Sequence, residues 1–466
     1  MAYPNCFEII EPVVAPTYKI LKSMAANDQS LIELPKFNLE DVLSKLPLPS
    51  LIACCGVSKS LLNLIKNDSD FARMHFAESE PQLMIQIQRH PGSSIHLIDL
   101  DTDTTSRVEV KPNFNIPLDS FYITQSCNGL LLLERMSKAK CVHRCMLYNP
   151  VTGECTLLPE IKHVYIHATS VFFYCPKTNQ FEVVCVFHCL NPDSDVSSDS
   201  DPATELNLVS DHDPDTDSDS DSEMLNPEDD VMGAIYVTGS DSWESLGKLP
   251  FSPLNIYHPC HLEKAVHWIC VDGTVPYFIV FFNFETREVG EIPGPAQVVQ
   301  AHPYANDFLT LVVLGNRLSI FDRLTVATKF NVWVMKEYGV KDSWSREFVI
   351  DTTVWGVYDL HCCFTPVICR NNGEVVMVSI FGYILFYDLL TKKGRIVNHR
   401  PLWTAMTHTP SLISLRDVVR GTNLEVVNVA PRVADPGLNL ELATTFSEVG
   451  LQVGPLPADP TSCLAV

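Results

Sequence analysis

Five times along this chain an aromatic residue or isoleucine is followed by Asn or Asp, then two residues, then Thr: Ile98-Asp99 to Thr102, Tyr148-Asn149 to Thr152, Phe282-Asn283 to Thr286, Phe321-Asp322 to Thr325 and Tyr387-Asp388 to Thr391. The pattern suits a hairpin. A strand ends on the aromatic, the Asn or Asp side chain folds back onto the next backbone N–H groups, and the Thr helps close the turn. Three copies continue alike, as TGECTLLP, TREVGEIP and TKKGRIV, which supplies a return strand. Antiparallel units that recur in this way pack side by side to bury their faces. From about residue 82 the apolar period is two, as in LMIQIQ, and residues 82–403 are expected to form one large all-β domain. At ~40–50 residues per unit that is a propeller of roughly six blades. A two-sheet sandwich is the alternative.

Residues 31–78 carry a different period. In NLEDVLSKLP, Leu39, Val42, Leu43 and Leu46 fall at i, i+3, i+4 and i+7 on one helix face, with Asn38 as the expected N-cap and Pro47 as the stop. SLIACCGVSKSLLNLI spaces Leu51, Cys54, Cys55, Ser58, Leu62 and Ile65 similarly, with Ser50 as the expected cap and Gly56 weakening its middle. DSDFARMHF opens a third short helix. Three short helices make a thin core, so such a module leans on a partner or a neighbouring domain. The expected fold class is α+β multidomain, a small all-α module followed by a large all-β, propeller-like domain.

The stretch LPKFNLEDVLSKLPLPSLIACCGVSKSLLNLIKNDSDFARMHF resembles a plant-type F-box. The resemblance rests on Leu34-Pro35, Leu43, Leu46-Pro47, Ser50-Leu51, Val57, Lys59, Leu64-Ile65, Phe71 and His75. The chain departs from the family pattern at Leu61, where Trp is usual, at Ser58, where Cys is usual, and at Ala53 and Cys55, which are commonly basic. The resemblance implies docking on a Skp-family adaptor, and through it on a cullin. Leu34, Pro35, Leu39, Val42, Leu43, Leu46, Pro47, Leu51 and Val57 would supply the contact. The β region is similar to the F-box-associated domain that follows plant F-boxes, itself related in pattern to kelch-type propellers. Its marks are SCNGLLLL at 126–133, LYNPVTGECTLLP at 147–159, VHWIC at 266–270 and WVMKEYGVKDSWSREFVI at 333–350.

Charge divides the chain unevenly. Residues 191–230 hold twelve Asp, three Glu and no Lys or Arg, fifteen of the formal charge of −23, and are expected to loop out of the β domain as a disordered insertion. Within it, Ser194, Ser218 and Ser220 precede acidic residues as acidophilic kinases prefer, and are candidate phosphorylation sites. Asp217, Asp219, Asp221 and Glu228 match calcium-loop positions, but Ser222 stands where Gly is needed and Pro227 blocks the exiting helix, so no calcium site is expected. The rest of the chain has no basic stripe, which argues against nucleic-acid and anionic-membrane partners. The longest apolar run, 277–284, is too short to span a bilayer. Residues 1–30 show no secretory pattern and are read as a flexible extension, as is the tail 404–466, whose final CLAV is a poor prenylation box. Sixteen Cys then belong to a reducing compartment, cytoplasmic or nuclear.

Catalytic signatures are absent: no phosphate-cradling Gly loop, GxSxG elbow or HExxH occurs. Cys141, His143 and Cys145 alternate on one strand face, a spacing that fits packing better than zinc, and no metal or cofactor is expected. The resemblance therefore implies a non-catalytic substrate-recognition subunit of an SCF-type (Skp–cullin–F-box) ubiquitin ligase. Its β domain would hold a target protein for ubiquitination. The alternatives are a propeller hydrolase with a helical cap, and an F-box scaffold with no ubiquitination role.

Overall fold

The computed structural model describes residues 36–88, 93–98, 107–110, 121–137, 142–162, 164–175, 177–178, 180–189, 230–249, 257–272, 275–301, 309–323, 329–351, 364–370, 372–379, 381–398, 404–419, 424, 426–428, 441–447 and 450–453. The N-terminal module has four helices, α1 (Lys36–Ser44), α2 (Leu48–Cys54), α3 (Lys59–Asn67) and α4 (Ser69–Glu78). The second expected helix is thus two. Ser58 adopts an extended conformation and its side chain accepts from Leu61 N, so the chain breaks after Gly56 and restarts with Ser58 as N-cap. Pro47, with Pro49 in the first turn, starts α2 in place of Ser50. Asn38 lies inside α1, two residues past its start.

The β region is a six-bladed ring of antiparallel sheets. The first blade holds β1 (Gln82–Gln88), β2 (Ser93–Ile98) and β3 (Arg107–Val110). The second holds β4 (Tyr122–Cys127), β5 (Leu130–Ser137), β6 (Val142–Asn149) and β7 (Glu154–Leu157), with β8 (Ile161–Lys162) paired to β6. The third is β9 (Val164–Cys175), β10 (Gln180–Cys189), β11 (Asp230–Val237) and β12 (Glu244–Lys248). The fourth is β13 (Tyr257–Leu262), β14 (Ala265–Asp272), β15 (Val275–Asn283) and β16 (Val289–Pro293), followed by helix α5 (Ala296–Ala301). The fifth is β17 (Leu309–Leu314), β18 (Arg317–Asp322), β19 (Lys329–Met335) and β20 (Trp344–Asp351). The sixth is β21 (Phe364–Cys369), β22 (Glu374–Ser379), β23 (Tyr383–Asp388) and β24 (Lys393–Asn398).

A strand from beyond the expected domain end closes the ring. β25 (Thr404–His408) pairs with β1, Gln82 opposite His408 and Gln86 opposite Thr404, and completes the first blade. The boundary expected at 403 is therefore too early. The tail also adds helix α6 (Leu415–Val418), β26 (Val427–Asn428) on the edge of β7, and a hairpin of β27 (Glu441–Ser447) and β28 (Gly450–Val453) on the edge of β24. The TAMTH sequence of β25 carries no strong apolar signal, and its partner lies some 320 residues upstream, so only the closed topology identifies it.

Period-two burial explains the runs of apolar residues. In SCNGLLLL, Leu131 and Leu133 pack with Met84 and Ile95 of the first blade, whereas Leu130 and Leu132 pack with Phe172 and Val183 of the third. Each strand in mid-blade is buried on both faces, so it reads as continuous leucine or valine. The other four interblade layers repeat this arrangement, with Phe173 on Phe282, Ile279 on Trp333, Phe330 on Met377, and Ile85 on Ile384 as representative cluster members.

The recurring phrase forms the predicted turns. Asn149 Oδ1 accepts from Val151 N (2.8 Å) and Thr152 N (3.2 Å); Asn283 Oδ1 from Glu285 N (2.9 Å) and Thr286 N (3.1 Å); Asp388 Oδ1 from Leu390 N (2.8 Å) and Thr391 N (3.0 Å). Each turn closes with a residue at positive φ, Gly153, Arg287 or Lys392. At Asp322 the side chain turns inward, 3.4 Å from Asn331 Nδ2 and Trp333 Nε1, and residue 99 lies outside the described residues.

Antiparallel order places connections on two faces. Turns from first to second and from third to fourth strand leave on one face, and the remaining connections on the other. The first face includes tight turns such as Asn128-Gly129 and Gly315-Asn316, both with φ > 0 as two-residue hairpins require. The helical module joins here, at Gln82. The strand ends flanking the longer connections, 190–229, 249–256, 294–308 and 352–363, lie on the opposite face. Cys189 and Asp230 pair at the end of β10 and β11, so the acidic segment separates two adjacent strands as expected; Ser194, Ser218 and Ser220 lie outside the described residues.

Candidate functional site

The helical module is built on a small core of Leu43, Leu51, Cys54, Leu61, Ile65 and Phe71. Leu61 fills the position where the family carries Trp, and it is buried. The buried His75 ties the last helix to the end of the first. Its Nε2 lies 3.1 Å from the Leu46 carbonyl and its Nδ1 3.2 Å from Ser79 Oγ. Burial pushes this imidazole below its ordinary pKa, so it is neutral and donates to Leu46 as a hydrogen-bonding strut.

Of the nine residues expected to meet an adaptor, the seven that are described divide into three groups. Leu43 and Leu51 are 1% and 0% exposed and belong to the internal core. Leu39, Leu46 and Val57 are half-buried against that core. Val42, 60% exposed, and Pro47 face outward. Leu34 and Pro35 lie outside the described residues. Helical spacing identifies one apolar face, but in a four-helix module that face closes the module's own core. Ile52 and Leu62, 44% and 37% exposed, stand on the outside of α2 and α3 and were not among the expected contacts. Ile52 stands off the apolar stripe, which is a signal that would mark it, whereas Leu62 sits on the stripe and its exposure shows only in the structure.

One buried cluster resembles a chemical site. Glu134, His143 and Cys145, paired across β5 and β6, offer ligand atoms within 4.8 Å of one another. His143 Nε2 lies 3.4 Å from both Glu134 Oε1 and Ser170 Oγ. A hydrolytic triad needs acid and serine on opposite ring nitrogens, and here both approach the same one while Nδ1 has no partner. Burial pushes the Cys145 thiol up to about 11, well away from a nucleophilic thiolate. These donor types could hold a zinc ion, but a metal-bound imidazole donates its other N–H to an acceptor, which His143 Nδ1 lacks. Burial pushes the His143 pKa down while the adjoining Cys145 and Glu134 push it up, and the cluster lies buried between the second and third blades. Other perturbed groups, Glu182, His267 and His408, sit on different blades. No helix among the described residues is long and apolar enough to cross a membrane.

A helical module of four short helices seated on a closed six-bladed ring defines an F-box joined to a propeller, and comparison with known proteins agrees. Residues 31–73 match the F-box domain family, and residues 82–199 and 215–414 match two families of F-box associated beta propeller domain. The second propeller match runs past β25. Among curated proteins the chain is 25% identical over 334 residues to F-box protein At3g07870 of Arabidopsis thaliana, covering 69% of this chain and 73% of that protein. It is 25% identical over 399 residues to F-box protein At4g19940 (79% and 86%) and 24% identical over 381 residues to F-box protein CPR1 (77% and 83%), both of Arabidopsis thaliana. The chain is a plant-type F-box protein with an F-box-associated β-propeller domain.

Proposed function

We propose that this chain is the substrate-recognition subunit of an SCF-type ubiquitin ligase. The F-box docks on a Skp-family adaptor and through it on a cullin, while the propeller holds a target protein whose lysines are thereby concentrated near the ubiquitin-conjugating enzyme. The observation that carries the reading is the exposure of Val42, Ile52 and Leu62 on helices otherwise built around their own core. Large apolar side chains left outside a small module supply a docking contact. The propeller face opposite the F-box, with the longer connections, is the one suited to the target, because loops on a rigid scaffold are where recognition residues gather. The chain contributes no chemistry of its own. The ligase works in the cytoplasm or nucleus.

The hydrolase alternative needs an accessible group with acid, base and nucleophile in relay, and the buried Glu134–His143–Ser170 arrangement fails that geometry. A reconstituted ligase containing this chain, the adaptor, a cullin and a captured partner tests the reading. Ubiquitin transfer to the partner is the expected result. Adaptor binding with no transfer to any captured partner would favour a scaffold.

A further inference from the structure

We infer that residues 409–419, followed by β26, form a strap that clamps the F-box onto the second blade, with Asn149 as its key. The inference deepens the proposed function, on which its role in ligase geometry rests: a fixed F-box fixes the spacing between adaptor and target. The strap itself stands on separate observations.

After β25 the chain does not leave the propeller. Leu412 packs against the F-box core. The carbonyls on either side of it, at Ser411 and Ile413, accept hydrogen bonds from Asn149 Nδ2 at 3.1 and 2.7 Å. Ser414 Oγ then donates to Glu154 Oε1 (3.1 Å), and Leu415 N donates to Glu154 Oε2 (2.7 Å). Leu415 is buried in the layer between the second and third blades, and β26 pairs with the free edge of β7. At Gly129, a Cβ would lie 1.9 Å from Ser411 Cβ, and φ is +80°, so both the contact and the backbone require glycine. Two marks of the propeller domain, the Asn-Gly of SCNGLLLL and the Asn of LYNPVTGE, are thus the seat of the strap.

Asn149 explains why one copy of the turn motif must be Asn. In three copies the side-chain oxygen holds the turn, and Asn and Asp serve equally in that role, as Asn283 and Asp388 show. Asn149 alone of these three also donates, from its Nδ2, to the two strap carbonyls. Aspartate there would keep the turn acceptor but aim a carboxylate at two carbonyl oxygens.

The test compares Asn149→Asp with Asn283→Asp in the full chain by hydrogen exchange. Asn149→Asp should speed exchange in 411–419 and in α3 and α4 by about ten-fold or more, leaving the fourth and fifth blades unchanged, while Asn283→Asp changes neither. Equal effects of the two, or none from Asn149→Asp, would overturn the strap. If Asn149→Asp unfolds the blade, Leu412→Ser replaces it: faster exchange in the F-box alone supports the strap, and unchanged exchange rejects it. Adaptor capture by the unmodified chain is measured in parallel, so failure there counts against the ligase reading and leaves the strap result standing.

Discussion

Single residues in the F-box have separable duties. Leu43→Ala or Leu51→Ala should destabilise the module by about 2–5 kcal/mol through the cavity each leaves. Val42→Ala, at an outward position, should change stability by no more than about 0.5 kcal/mol. Chemical denaturation followed by helical circular dichroism distinguishes them. Buried imidazoles set the acid limit of the fold. Burial pushes His408 down to about 3 and His267 to about 4, against ~6.5 for a free imidazole. Each group takes up a proton on unfolding between those values. Stability is therefore fully present above about pH 6.5 and falls as pH drops toward 4, by up to about 1.4 kcal/mol per pH unit for each histidine. Denaturation midpoints at pH 7 and pH 5 should show the fall, and His408→Gln should remove part of it. At this scale the leucine spacing was readable, but its direction was not: Leu43 and Leu51 point inward and Val42 outward, although all sit on apolar-periodic helices.

Among the elements, the hairpin phrase was the most legible feature, because its turn chemistry is local: Asn149, Asn283 and Asp388 each bond the N–H groups two and three residues on. Ring closure was illegible for the opposite reason. β25 gains its meaning only from β1, and nothing in five residues of middling polarity announces so distant a partner. Ending the chain at residue 403 should strip the first blade of its inner strand, uncover Leu83 and Ile85, and abolish the cooperative thermal transition. Ending it at 428 should retain that transition, since β25, α6 and β26 all remain. A sharp melt from the 403 truncation would mean that the ring closes without β25. The split of the second F-box helix at Ser58 has a local sequence signal that competes with the longer apolar period: an N-cap serine three residues before Leu61, whose N–H it accepts.

Across the whole molecule, the architecture separates two ends. One face receives the F-box, against which Leu412 packs while Asn149 bonds the carbonyl of neighbouring Ser411, and the strand ends flanking the longer connections lie on the other. Sequence pattern alone reached the two-part architecture and the six-blade count, since both follow from repeated local units. The seating of one part on the other depends on contacts between residues 129, 149 and 411, which share no local pattern. In the proposed function, the exposed apolar side chains of the F-box dock a Skp-family adaptor. Calorimetric titration of purified adaptor into the full chain, and into a Val42→Asp, Ile52→Asp double variant with an unchanged melting temperature, tests it most directly. The unmodified chain should bind saturably and the variant should lose about 100-fold or more in affinity, because each substitution buries an unpaired charge in an apolar contact. No binding by the unmodified chain, or equal binding by the two, would contradict it.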